Sequence, residues 1–251
     1  MLFLILGGAV GSWVARIPEV QSALGLGDAA LGLALLMSAL GALVAMPAAG
    51  RAAPRVGTRR LAWGAAAAMC ALLPLIPLAP SRRALMAALG LYGAATGVLG
   101  VAINALAVHV EGRIGRPILS SFHGLFSLGA LAGSALAAAL AALEVGPAAS
   151  LAGAAVVLLA ALLAVMRRLP DAPTGRRARG MCRPRRELVL LGGLAFLGFV
   201  GEGAMADWGA IYLRRSLGAP VWVAALGFAA YSLGMTAVRF LGDRLSRAVG
   251  D

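Results

Sequence analysis

Lysine is absent: all 22 basic residues of the 251-residue chain are arginine. Acidic residues are also scarce, at 10, and only two histidines and two cysteines occur. Cys70 lies inside an apolar run and Cys182 in an arginine-rich stretch, which argues against a disulfide between them and leaves no metal-ligand spacing. Aromatic residues make up 6% of the chain and do not alternate with the arginines, so a single-strand nucleic-acid platform is excluded despite the net charge of +12. A glycine-rich phosphate loop ending in Gly-Lys-Ser/Thr is missing. No nucleophile–base pair stands out, and the chain is read as neither an enzyme nor a cofactor carrier. A basic segment ahead of the first apolar run is missing too, so that run does not read as a signal peptide.

What fills the chain instead is apolar. Hydrophobic residues make up 61% and the mean hydropathy is +0.90, well above the roughly 45–50% of soluble domains. Apolar runs recur along the whole length, and runs of about 18 or more residues read as membrane-spanning helices. The expected fold is therefore all-α and polytopic. Eight spans are expected, at 2–17, 31–50, 61–80, 84–108, 120–142, 148–166, 188–206 and 220–241. Residues 167–187, polar and carrying eight of the 22 arginines, read as a cytoplasmic linker between a six-helix bundle (1–166) and two helices of a second bundle (188–251).

The arginines lie in the short gaps, where they report topology. With the N-terminus inside, sixteen fall in inner gaps (Arg51 to Arg60, Arg113 and Arg116, Arg167 to Arg186, Arg244 and Arg247). Five fall at or beyond the outer edge: Arg16, Arg82, Arg83, Arg214 and Arg215. The bias sets a cytoplasmic N-terminus in an inner, or plasma, membrane. Six spans, a basic linker and further spans follow the plan of a transporter built from two repeated halves. The second half has only two spans here and the apolar stretch before Arg16 covers about 22 Å. The expectation is a chain incomplete at its C-terminus and clipped at its N-terminus.

The segment "GRAAPRVGTRRL" (Gly50 to Leu61) resembles the loop signature of the major facilitator superfamily, with Gly50, Arg55, Gly57, Arg59 and Arg60 in or near its pattern. Pro54 stands where that family usually has Asp, and Thr58 interrupts the basic pair. A degenerate second copy, "RFLGDRLSRAVG" (Arg239 to Gly250), follows span eight, with Asp243 and Arg244 at the positions of Pro54 and Arg55. Other stretches, "SWVARIPEVQSALGL" and "EGAMADWGAIYLRRSLGA" among them, are similar to the rhizopine-transporter-like and bypass-of-stop-codon-like members. The resemblance implies secondary transport of a small-molecule substrate, possible use of protons, and a gating role for Gly50, Arg55, Gly57, Arg59, Arg239, Asp243 and Arg244. Drug or metabolite efflux, and a truncated membrane protein that does not transport, are the alternatives. No Pro-Gly motif of drug antiporters occurs in span five, and span four lacks the deep arginine of many proton antiporters.

Six residues are candidates for translocation or coupling. Arg16 and Glu19, three apart, share a helix face and can pair, with Arg16 reaching to the outer membrane edge as the alternative. Asn104, within an apolar run, should face other helices or a wet cavity, since an unpartnered amide in lipid is costly. His123 lies between Ser120 and Ser127 on one helix face, with Gly129 and Gly133 as a close-packing pair. Glu202 lies at two-thirds of the depth of span seven, where an ionised carboxylate costs several kcal/mol unless paired, hydrated or protonated. Asp207, about 140° further around that helix, should belong to an outer mouth with Trp208 and Tyr212.

Overall fold

A computed structural model describes residues 1–166 and 186–249, without the side chains of Met166 and of 243–249. The described residues form helices and no strand. The helices are α1 (Leu2–Val14), α2 (Ile17–Ala23), α3 (Asp28–Val56), α4 (Thr58–Leu72), α5 (Arg82–Ile114), α6 (Leu119–Ala142), α7 (Pro147–Met166), α8 (Arg186–Arg215) and α9 (Val221–Val249). Among the described residues, α3 and α5 to α9 are each long and apolar enough to cross a membrane. The first expected span is the pair α1 and α2, bent by 41° at the break before Ile17. Pro18 opens α2 at a position where its missing N–H costs nothing. The third is α4, 15 residues long, extended by a 3-10 turn at Leu73–Leu75.

The stretch from Gly50 to Leu61 is almost entirely helical rather than a loop. Helix α3 carries Pro47 and Pro54 within it and runs to Val56. Gly57 alone breaks the chain, at φ 91°, a backbone open to glycine and strained for other residues. The second copy is likewise helical: α9 continues unbroken to Val249. The linker expected at 167–187 lies outside the described residues, except that Arg186 and Glu187 open α8.

Glycine sets how close the helices come. On α1 against α6, a Cβ on Gly7 would overlap the Phe126 carbonyl, one on Gly129 the Leu4 carbonyl, and one on Gly133 the Gly8 carbonyl. On α3 against α5, Gly41 and Gly93 meet the backbones of Gly90 and Ser38 in the same way. Such backbone contact is how helices associate where the solvent is itself apolar. Helices α8 and α9 lie on the first seven mainly through α9 on α6, with Ala137 and Ala138 packed on Ala225. Short connections make α3 to α7 successively antiparallel, and α9 antiparallel to α8. Arg215 meeting Asp28 sets the end of α8 beside the start of α3, so the N-terminal ends of α4, α6 and α8 share one end of the bundle with the C-terminal ends of α3, α5 and α9.

At that end, Glu111 of α5 reaches across the connection. Its Oε2 accepts from the backbone N–H groups of Ile118 (2.8 Å) and Leu119 (2.7 Å). This satisfies two otherwise orphan donors at the start of α6 with a charge the helix dipole favours.

Candidate functional site

A cavity of about 360 Å³ lies where α1, α5, α6, α8 and α9 converge. Its wall is largely apolar, with Phe3 and Val10 from α1, Phe126 from α6, Phe199 from α8 and Phe228 from α9. Four polar side chains enter it: Asn104, His123, Glu202 and Arg239.

Arg239 ties them together. Its Nη1 donates to Ser127 Oγ at 2.6 Å, and its Nη2 donates to both carboxylate oxygens of Glu202 at 3.1 Å. The guanidinium also lies over the Phe126 ring, 5.9 Å from its centre. The ion pair is partly buried, with 18% of the Arg239 and 27% of the Glu202 side chain exposed. One cation thus joins α9 to α8 and to α6 on the opposite wall. The Ser120 hydroxyl adds a bond across the same helix contact, donating to the Arg239 carbonyl at 2.6 Å.

The polar face expected on α6 is this contact surface: Ser127 meets the guanidinium and Ser120 the α9 backbone. His123 stands edge-on to Phe3, ring centres 5.3 Å apart, and faces the cavity. Asn104 donates its Nδ2 to the Gly100 carbonyl at 2.9 Å, which fixes the amide against its own helix and leaves the side-chain oxygen as acceptor. The cavity therefore offers acceptors at Glu202 and Asn104, while two guanidinium nitrogens of Arg239 are already engaged.

The resemblance groups Arg239 with a gating loop; in the structure it lies within α9. With no proline after Pro220 to interrupt α9, the helix runs on through Arg239 and sets it in the cavity lining rather than in a loop. The signal was present in the sequence: Arg239 lies inside the expected span 220–241, between Val238 and Phe240. Asp243 and Arg244 lie further along α9, with side chains outside the described residues. Gly50 and Arg55 lie on the last turns of α3, Gly57 at the break and Arg59 in the first turn of α4, all distant in sequence from the cavity lining.

The expected Arg16–Glu19 pair forms, at 2.8 Å. Arg16 is not on the surface of the described structure, however. It is fully buried at the break between α1 and α2, and its Nε and Nη2 have no acceptor among the described residues.

Asp207 lies beyond the cavity lining. Its neighbour Trp208 covers Gly32 of α3, where a Cβ would stand 3.4 Å from the indole, and Tyr212 is exposed. Beyond them a contact unsignalled by any motif joins the ends of α3 and α8. The Asp28 carboxylate accepts from Arg215 Nη1 and, at 3.1 Å, from Gln21 Nε2. Both members of the ion pair are more than half exposed.

The family model of the Major Facilitator Superfamily matches residues 1–251. An uncharacterised MFS-type transporter of Yersinia pestis is 34% identical over 252 residues, covering 100% of this chain and 65% of the relative. The membrane protein MosC of Rhizobium meliloti is 34% identical over 254 residues, covering 99% of this chain and 61% of the relative. Among solved structures, the nucleoside transporter NupG (D323A mutant) superposes with a TM-score of 0.67 at 16% identity, covering 95% of this chain and 63% of that one. The chain thus spans less than two thirds of the length of these relatives.

Proposed function

Because the chain belongs to the major facilitator superfamily, we propose that its cavity is the solute path of a secondary transporter working by alternating access and driven by an ion gradient. The solute is a small polar organic molecule, and the arginine-rich end of the bundle, with the N-terminus, faces the cytoplasm of a bacterial inner membrane.

The observation that carries this reading is the Arg239 bridge. An ionised Glu202 at this depth would cost several kcal/mol unpaired, and Arg239 offsets that cost. The bridge also spans the two groups of helices, from Ser127 on α6 to Glu202 on α8. A proton on Glu202 removes the negative charge that holds Arg239 Nη2 and leaves it only a neutral carboxyl oxygen as acceptor. The guanidinium is then free to turn to another partner, and the tie across the cavity is weakened. A hydrogen-bond donor on the solute competes for the same carboxylate. Proton and solute thus act on one bond, which is what coupling between them requires.

At the far end, the Asp28–Arg215 pair and Trp208 over Gly32 hold α8 to α3. This arrangement supports a conformation closed at the end carrying α2, with alternation requiring that contact to open.

The test is uptake by the full-length protein in vesicles, first screened across neutral, cationic and anionic solutes. Glu202→Gln is then expected to abolish concentrative uptake of the identified solute while exchange across the membrane survives. Unchanged uptake with unchanged pH dependence in a well-accumulated Glu202→Gln protein would refute the role of this site.

A further inference from the structure

A second hollow, about 430 Å³, lies away from the cavity, between α4 and α5. Small side chains make it: Gly64, Ala65 and Ala68 on α4 stand opposite Ala94 and Ala95 on α5. A Cβ on Gly64 would meet nothing within 4 Å. The lining is apolar except at one end, where Arg60 closes it. Arg60 is exposed, and its guanidinium has no acceptor among the described residues.

The hollow faces outward. Helix α4 packs on α5, α7, α3 and α1, whereas α8 and α9 pack on α6, α1 and α2. Leu91, on the α5 wall, is 60% exposed. In a bilayer such an outward-facing apolar channel is filled by hydrocarbon, because a void forfeits dispersion contacts along its walls.

Its length selects the occupant. From Arg60 to Leu72 the α4 wall rises about 18 Å, against about 15 Å for one leaflet of a roughly 30 Å hydrocarbon core. Arg60 therefore lies at headgroup depth when the channel is filled by one acyl chain. Arg51, Arg55 and Arg59 lie on the adjoining turns of α3 and α4. A positive cluster at headgroup depth above an apolar channel complements an anionic headgroup.

We propose that this groove binds one anionic phospholipid of the leaflet at the arginine-rich end, with an acyl chain between α4 and α5 and its phosphate on Arg60. The inference does not depend on the transport reading.

The experiment is native mass spectrometry of the full-length protein, equilibrated in detergent with equal amounts of dioleoylphosphatidylglycerol and dioleoylphosphatidylcholine. Retention of one phosphatidylglycerol in preference to phosphatidylcholine is expected. Arg60→Gln, a change at an exposed side chain, should lower phosphatidylglycerol retention about fivefold and leave phosphatidylcholine unchanged. Gly64→Leu, which extends into open space, should lower retention of both. Equal retention of the two lipids by the unaltered protein, or undiminished phosphatidylglycerol retention in Arg60→Gln, overturns the proposal. So does a photoreactive residue at Leu91 that crosslinks to another segment of the protein instead of to lipid.

Discussion

Arg239 and Glu202 constrain each other's replacement. Arg239→Gln leaves the Glu202 carboxylate facing a mostly apolar cavity, whereas the double change Glu202→Gln and Arg239→Gln removes both charges. The single Arg239→Gln change is therefore expected to lower stability by about 1–3 kcal/mol, below the range for fully buried pairs because water reaches both side chains. The double variant should recover at least half of that loss. Thermal unfolding in detergent checks it, and a double variant no more stable than Arg239→Gln would contradict the charge argument. Arg16 makes a contrasting case. Fully buried with two nitrogens that have no partner among the described residues, it is ion-paired with Glu19, so Glu19→Ala is expected to reduce accumulation in the membrane sharply, while Glu19→Asp costs less. Glu202 was legible as an acid within an apolar run. Its partner was not, because a loop motif offered a simpler account of Arg239, and spacing along one chain does not show which helices meet.

Among the helices, contact distance decides what each glycine tolerates. Gly133 of α6 faces the Gly8 carbonyl of α1, so Gly133→Ala forces the two backbones apart and should cost about 1–3 kcal/mol as overpacking. Gly153 of α7 faces open space, so Gly153→Ala should be neutral or stabilising by up to about 1 kcal/mol through helix propensity. Melting temperatures of the two variants, measured side by side, test the difference, and equal melting temperatures would contradict it. The cap of α6 gives a second prediction. Glu111→Ala removes the acceptor of two backbone donors and should cost about 1–3 kcal/mol, with Glu111→Gln retaining part because its carbonyl still accepts. Hydrogen exchange at Ile118 and Leu119 should rise in Glu111→Ala. Of the eight spans expected from hydropathy, six are helices long and apolar enough to cross a membrane among the described residues and the bent pair α1 and α2 adds a seventh, whereas α4 is too short; the breaks were not legible. Pro54, in sequence a helix breaker, lies inside α3 near its end, while Gly57 makes the turn.

For the whole molecule, topology and gating are the testable statements. With the arginine-rich end in the cytoplasm, a cysteine placed at Arg116 should resist impermeant reagents in intact cells, and one at Glu144 should label. The reverse pattern would invert the orientation. The pair Asp28–Arg215 closes the end that carries α2. As an exposed pair it is worth about 0–1 kcal/mol, so Arg215→Gln should raise labelling of a cysteine introduced at Gly32 by no more than about fivefold, towards an open state. No change in labelling would show that Trp208 and the helix packing hold this end without the ion pair.

Apolar run length and arginine placement by themselves determined that this chain is a helical membrane protein, because lipid leaves backbone N–H and C=O groups no partner except within a helix. The two motif copies determined its family, and the isolated carboxylate marked Glu202 as a position that demands a partner. Only the tertiary structure decided what that partner is. Arg239, Ser127 and Glu202 lie on α9, α6 and α8, and Ser127 is 112 residues from Arg239 in the chain. They meet because glycine and alanine faces let α6 pack closely against α1 and α9. Arg16, expected at an edge, is likewise fully buried at the break between α1 and α2. Hydropathy fixes how deep a residue lies along its helix, whereas the direction it faces and the group it meets depend on how the helices pack.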